Sequence, residues 1–229
     1  MNTKLLLFDI DMTLIDTAGV GRQAMIMAFE DLFARRNGMA TAQFAGRTDA
    51  IILKDALAHH GIEWSHEIQE RFKVAYLAYL QAELNKPNQH KRVLPGVVEI
   101  LNLLQDHPTL KIGLLTGNWK EGARIKLRHF DLYHYFEIGA FADDSGIRSE
   151  LPAFAAQRFA QTTGMTIAPH DVYIIGDTPN DVACARPFGA RSVAVATGLF
   201  SMQQLQAANP DFLLPDLSNQ QDFLKIFES

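Results

Sequence analysis

Three short stretches carry residue types that could do chemistry together. Asp9-Ile10-Asp11-Met12-Thr13-Leu14 places two carboxylates two residues apart. In a chain that stays extended and then turns, both can reach one site. Their mutual repulsion favours a divalent cation or a split of roles, with Asp9 as nucleophile and Asp11 handling protons. The alternative is a pair of surface acids at a strand end. Leu114-Leu115-Thr116-Gly117-Asn118 sets a hydroxyl and a glycine between an apolar run and a helical pattern. The Thr116 hydroxyl and nearby backbone N–H groups could hold a phosphate oxygen, or only make a well-capped turn. Ile174-Ile175-Gly176-Asp177-Thr178-Pro179-Asn180-Asp181 carries two acids four apart where the chain enters a helix. Hard oxygen ligands of this kind suit magnesium, and acids at a helix start also serve as caps.

Each stretch must sit at the end of a strand for the three to meet. Lys4 to Ile10, Lys111 to Thr116, Val172 to Gly176, Ser192 to Ala196 and Asp211 to Leu214 are short apolar runs that read as buried parallel strands. Helical spacing appears between them, over Pro95 to Leu104, Lys120 to Phe130, Leu151 to Thr162 and Gln221 to Phe227. Ser218 to Gln221 has capping-box spacing before the last of these. Alternation of this kind predicts an α/β domain with a parallel sheet, and ligands then collect beyond the carboxyl ends of the strands.

One region breaks the alternation. Ala18 to Leu84 shows no strand pattern but three apolar helical patterns, around Ala24 to Phe33, Ile51 to Leu57 and Phe72 to Leu80. Asn85 to Arg92 is polar, contains Pro87, and reads as the linker back. The predicted plan is a core of residues 1–15 and 91–229 with a helical cap of residues 16–90 inserted after the first strand.

Composition narrows the function classes. The 229 residues are 48% hydrophobic and 21% charged, an ordinary globular balance. A net charge of −5 makes the chain a poor match for a nucleic-acid backbone. No apolar stretch approaches a membrane span, and the first run is too short for a signal segment. The single cysteine, Cys184, excludes an intrachain disulfide and reads as a small buried residue. A cytoplasmic protein is expected. The histidines, His59, His60, His129 and His134 among them, fit no zinc spacing. Gly19-Val20-Gly21 is not a dinucleotide fingerprint.

Taken together and in order, the three stretches resemble the motifs of the haloacid dehalogenase-like (HAD) hydrolase superfamily. Its DxDx[TV] motif matches Asp9 to Thr13, its strand-ending Ser or Thr matches Thr116, and its GDxxxD-type motif matches Gly176 to Asp181. The resemblance spans essentially the whole chain, and the helical insert looks like the cap of the phosphoglycolate-phosphatase-like branch. It implies a Rossmann-like parallel-sheet core and a magnesium-dependent phosphatase acting on a small phosphomonoester of the phosphoglycolate or sugar-phosphate type. It implies that Asp9 forms an aspartyl-phosphate and that Asp11 protonates the leaving alcohol and then activates water. Thr116 joins these as a catalytic residue. Thr13, Gly117 and Asn118 fall on the substrate side, with Asn118 on the phosphoryl group. The resemblance also implies that Asp9, Asp11 through its backbone carbonyl, and Asp177 hold magnesium, and that Asp181 supports or joins that shell. The acid at Asp11 separates phosphatases from the dehalogenase branch. A phosphomutase of the same branch is the enzymatic alternative, and a non-catalytic binding protein on this fold is the other.

Two departures stand out. Met12 occupies a position that is glycine in many relatives. The lysine that often precedes the helix before the last motif is absent, and the stretch reads Gly146-Ile147-Arg148-Ser149-Glu150-Leu151-Pro152. Arg148 or Arg158 could take its place and screen Asp9 against the phosphate, with Arg148 nearer the expected position. In the insert, Ala45-Gly46-Arg47-Thr48-Asp49 resembles a cap loop that reaches over the site, where Arg47 could meet an anionic part of the substrate. Alternatively Thr48 caps a helix and Arg47 lies in solvent. Trp119 either lines the entrance or packs beneath the cap. The oligomeric state is left open between monomer and homodimer.

Overall fold

The protein is described by a computed structural model over residues 2–228. Its chain begins with β1 (Lys4–Phe8), whose sequence Lys-Leu-Leu-Leu-Phe is apolar on both faces. A strand with no polar face must be covered on both sides, and β1 lies at the centre of a six-stranded sheet. Its neighbours are β4 (Leu110–Leu115) and β6 (Val172–Gly176), both parallel to it. Outside these lie β5 (Gly139–Ala140) on one edge and β7 (Arg191–Val195) then β8 (Phe212–Leu214) on the other. Every pairing in this sheet is parallel. Helices α4 (Val97–Gln105), α5 (Lys120–His129), α6 (Leu151–Thr163), α7 (Pro179–Phe188), α8 (Met202–Ala207) and α9 (Gln220–Lys225) complete the α/β core. The parallel α/β sheet predicted from the alternation is the one observed, as is the Rossmann-like core that the resemblance implies.

The order β4-β1-β6 decides where chemistry can occur. Phe8 pairs with Leu114 on one side and with Ile175 on the other. The residues that follow these three strands, Asp9, Thr116 and Asp177, are therefore brought side by side at one edge.

The chain leaves β1 earlier than the apolar run suggested. Ile10 belongs to a tight turn, in which its carbonyl accepts N–H groups from Thr13 (3.3 Å), Leu14 (2.9 Å) and Ile15 (3.1 Å). Met12 lies in that turn at φ 60°, a left-handed conformation that costs a side-chain-bearing residue free energy. Here the turn is held by Met12 N–H donating to the Ile15 carbonyl at 2.8 Å and by the Thr197 hydroxyl donating to the Met12 carbonyl at 2.6 Å.

The insert holds three helices, α1 (Val20–Phe33), α2 (Asp49–His59) and α3 (His66–Leu84). Phe29, Leu53, Phe72 and Leu80 are fully or almost fully buried in a core of their own, joined from the sheet domain by Trp119 and Ala142. Thr48 and Ser65 cap α2 and α3 by accepting from Ile51 N–H and Ile68 N–H. Where the chain passes between cap and core, β2 (Ile15–Asp16) pairs antiparallel with β3 (Arg92–Val93). Periodicity over two residues is invisible in a sequence, so neither these strands nor β5 was expected, and α8 was also missed. At the last helix the predicted Ser218–Gln221 box does not form. Asn219 is the cap, accepting from Asp222 N–H at 3.2 Å and donating its amide to the Asp222 carboxylate at 2.7 Å. No helix among the described residues is long and apolar enough to cross a membrane.

Candidate active site

Asp9 emerges from β1 with its N–H bonded to the Ile175 carbonyl at 2.9 Å and its side chain buried. Burial pushes its pKa up to about 6, helped by the nearby carboxylates of Asp181 and Asp11 and opposed by Arg148. Asp177, at the end of β6, is pushed up to about 9 by burial and then by Asp181 and Asp9. Asp181 opens α7. Its Oδ2 accepts from the Thr178 N–H (3.0 Å) and hydroxyl (2.6 Å), its own N–H donates to Thr178 Oγ1 (3.3 Å) and so completes a capping box, and its Oδ1 accepts from Arg148 at 2.5 Å. The capping reading of this acid therefore holds, and its other oxygen is turned to Arg148.

Arg148 sits on a short 3-10 turn before α6, and its guanidinium lies 3.3 Å from Asp9 Oδ1 as well as on Asp181. Burial opposes its charge, but Asp181 and Asp9 more than compensate and hold its pKa above the ordinary value. Arg158 is elsewhere. It donates to both oxygens of Asp144 and to the Gly139 carbonyl at 2.5–2.6 Å, bracing β5 against α6. Of the two arginines only Arg148 meets Asp9, and the catalytic expectation for Arg158 is not supported by its placement.

Asp11 points to the other side of the site. Its carboxylate accepts from Lys126 Nζ at 2.8 and 2.7 Å and from the Asn118 amide at 2.8 Å. The Asn118 amide also donates to Thr116 Oγ1 at 2.8 Å, and its carbonyl oxygen accepts from Lys126 at 2.6 Å. Lys126 is thus a site residue that the sequence reading missed. The signal was available. Lys126 lies on the buried face of α5 with Gly122, Ala123 and Leu127. A buried ammonium needs an anionic partner. Asp49, in the first turn of α2, is a second residue given no role in the sequence reading. It is buried, and its Oδ2 accepts from Trp119 N–H at 2.9 Å.

The remaining expected residues divide. Gly117 and Asn118 line the cavity above Asp9. Gly117 also joins core to cap, because its carbonyl accepts Asp49 N–H at 2.7 Å. A Cβ there would stand 2.1 Å from the Arg47 carbonyl, so only glycine fits this approach. Thr13 does not line the cavity. It is buried behind the site with its hydroxyl 3.5 Å from Asp177 Oδ1, a supporting rather than a substrate-binding place. Arg47 lines the cavity, but its guanidinium is drawn to Asp55 at 2.5 Å. Thr48 both caps α2 and donates to the Gly146 carbonyl at 2.7 Å, which ties the cap loop to the core. Trp119 is fully buried against Phe72 and Tyr76, beneath the cap and not at the entrance.

A sequence profile described as haloacid dehalogenase-like hydrolase matches residues 6–195. The chain belongs to that family. Among its relatives is the phosphoglycolate phosphatase of Nitrosospira multiformis, 25% identical over 218 residues that cover 93% of this chain and 92% of that protein. Pyrophosphatase PpaX of Bacillus pumilus is 25% identical over 123 residues, 54% of this chain and 55% of its own. The crystal structure of a hydrolase from Pseudomonas syringae aligns over 100% of both chains with a TM-score of 0.72 at 22% identity, a likeness of fold. The family and its phosphatase relatives make this chain a hydrolase of the phosphatase type.

One carboxylate oxygen from each of Asp9, Asp177 and Asp181 can be chosen so that all three lie within 4.8 Å of one another. Ionised, three carboxylates against the single guanidinium of Arg148 leave two negative charges uncompensated in a buried place. Burial first, and the neighbouring carboxylates after it, raise the pKa values of Asp9 and Asp177. Hard oxygen donors with a surplus of two charges fit a divalent cation such as magnesium. Both oxygens of Asp181 are engaged by Arg148 and Thr178, so Asp9 and Asp177 are the freer donors.

Proposed function

We propose that this protein is a magnesium-dependent phosphatase that hydrolyses a small phosphomonoester through an aspartyl-phosphate on Asp9. The observation that carries the reading is the separation of two carboxylates leaving one strand. Asp9 is directed to Arg148 and the acidic cluster, and Asp11 to Lys126 and Asn118. Such a split gives one group to nucleophilic attack and the other to proton transfer.

An oxygen of Asp9 attacks phosphorus, and the bond from phosphorus to the leaving oxygen breaks. Asp11 gives its proton to that oxygen, so the alcohol departs neutral. The Asp11 carboxylate that results is stabilised by Lys126 and Asn118. It next takes a proton from a water that attacks the phosphorus, and the Asp9 acyl-phosphate bond breaks to release inorganic phosphate. Arg148 screens Asp9 against the incoming phosphoryl charge, and Thr116 and Asn118 offer it hydrogen bonds. Asp9 and Asp177, backed by Asp181 and with the Asp11 main-chain carbonyl, would hold magnesium. When bound there, magnesium supplies neutralisation between the nucleophile and the phosphoryl oxygens.

The phosphatase relatives support a small phosphorylated partner rather than a nucleic acid or a membrane. Cys184 is buried and unpaired, which fits a reducing cytoplasm. The test is phosphate release from a panel of small phosphomonoesters, wild type beside Asp9→Asn, with magnesium and with chelator. Turnover only in the wild type with magnesium is expected. Substantial turnover by Asp9→Asn would refute the nucleophile, and unchanged activity in chelator would refute the metal.

A further inference from the structure

The cavity above Asp9 has a volume of about 460 Å³. Pockets of about 300–1,000 Å³ bury ligands of drug size, and a phosphoryl group with a two-carbon tail fills a small part of this one. Its floor is polar, made by Asp9, Asp11, Thr116, Asn118, Arg148 and Asp177. Its walls are different. Met25, Phe44, Ile52 and Leu199 line the space that a leaving group would occupy, with the buried Ile15 and Tyr76 behind them.

The charged groups among the walls are largely turned to the protein itself. Asp16 pairs with Arg92 at 3.3 Å, and Arg47 pairs with Asp55. Asp49 accepts from Trp119 N–H, and Arg22 lies over the Phe44 ring, 5.3 Å from its centroid. Apart from the Arg22 guanidinium, what is left for the leaving group is mainly aliphatic and aromatic surface. Leu199 extends that surface to the mouth, where its side chain is 82% exposed. The loop that carries it is fixed, because Thr197 holds the Met12 carbonyl and Gly198 packs on Asp177 so closely that a Cβ would stand 1.8 Å from Oδ2.

We propose that the substrate is a phosphomonoester of an alcohol with an apolar body of several carbons, rather than of a two-carbon acid or a polyol. This rests on the phosphatase reading above. The phosphoryl group meets the polar floor, and the carbon chain runs along Ile52, Met25 and Phe44 toward Leu199.

The experiment is a series of primary alkyl phosphates from methyl to hexyl with magnesium, beside phosphoglycolate and a hexose 6-phosphate. Burying a methylene contributes about 0.8 kcal/mol, so kcat/KM should climb roughly fourfold per carbon until the cavity is filled. The hexyl-to-methyl ratio should fall severalfold in Phe44→Ala and in Leu199→Ser. Leu199 is so exposed that its replacement leaves folding intact. A flat or falling series, or a preference for phosphoglycolate or the sugar ester over every alkyl ester, overturns the proposal while leaving the phosphatase standing. An unchanged ratio in both variants overturns it as well. Release from none of the esters would overturn the phosphatase reading and this one together.

Discussion

Asp49 offers a quantitative test of how cap and core are joined. Its carboxylate accepts Trp119 N–H at 2.9 Å, and its own N–H donates to the Gly117 carbonyl at 2.7 Å. Burial pushes its pKa from the ordinary 3.8 up to about 7, against the opposing pull of Lys126 and the Trp119 N–H. Between those values the folded protein holds this proton more tightly than the unfolded chain does. Stability contributed at this site is therefore highest at low pH and falls as pH rises through the window. A rise from 3.8 to about 7, at about 1.4 kcal/mol per pH unit, corresponds to ~4 kcal/mol. That is a ceiling, since Asp49 also faces the cavity. Roughly 2.5 kcal/mol of it falls between about pH 5 and about pH 8. Asp49→Asn keeps an oxygen for Trp119 N–H and removes the charge. Urea unfolding of both proteins at the two pH values measures the difference directly, and the subtraction cancels Asp9 and Asp177. The variant should gain up to about 2.5 kcal/mol on the wild type as pH rises. A difference that stays constant within about 0.5 kcal/mol would refute a charge confined at this contact.

The two arginines should behave oppositely. Arg148→Met leaves Asp9 and Asp181 without their cation, and loss of a buried partner costs about 3–5 kcal/mol with turnover falling by orders of magnitude. Arg158→Met should cost about 1 kcal/mol, as a partly exposed pair does, with kcat/KM within about threefold of wild type. Urea titration and steady-state assays separate the two, and equal losses of activity would contradict the placement of Arg158. Lys126→Met removes the group that holds Asp11, and kcat should fall about 10²-fold or more; a kcat within threefold would remove Lys126 from the site. Gly117→Ala sets a Cβ 2.1 Å from the Arg47 carbonyl and should raise KM and cost about 1–3 kcal/mol. Gly122→Ala meets nothing nearer than 3.5 Å and is the tolerant control.

Much of the fold was legible because its signals are long or strongly apolar. The run Leu5-Leu6-Leu7-Phe8 has no polar face, and that alone demands a central parallel strand. The three cap helices carry apolar positions over many turns, and Thr48 announces the start of one of them. Two-residue strands carry no period, so β2, β3 and β5 are set by pairing partners that lie far away in sequence. The capping residue at α9 shows the same limit on a smaller scale. Ser218 and Asn219 are both good caps, and only the backbone path chooses between them.

In the site, residue type was legible and partnership was not. An arginine near the place of a missing lysine could be named from the sequence, but Arg148 and Arg158 are told apart only by which carboxylate each reaches. Arg158 finds Asp144 fourteen residues before it, while Arg148 finds Asp181 thirty-three residues after it. Lys126 and Asp11 are 115 residues apart and meet because β4 lies beside β1, which sets α5 above the end of the first strand. Asp181 carries the point furthest. Cap and site acid looked like rival roles for it, but a carboxylate has two oxygens. Oδ2 fixes the start of α7 through Thr178, and Oδ1 holds Arg148 beside Asp9. The helix start and the position of Arg148 are thereby one structure, so a change at Thr178 that loosens the cap should also loosen the arginine that faces the nucleophile.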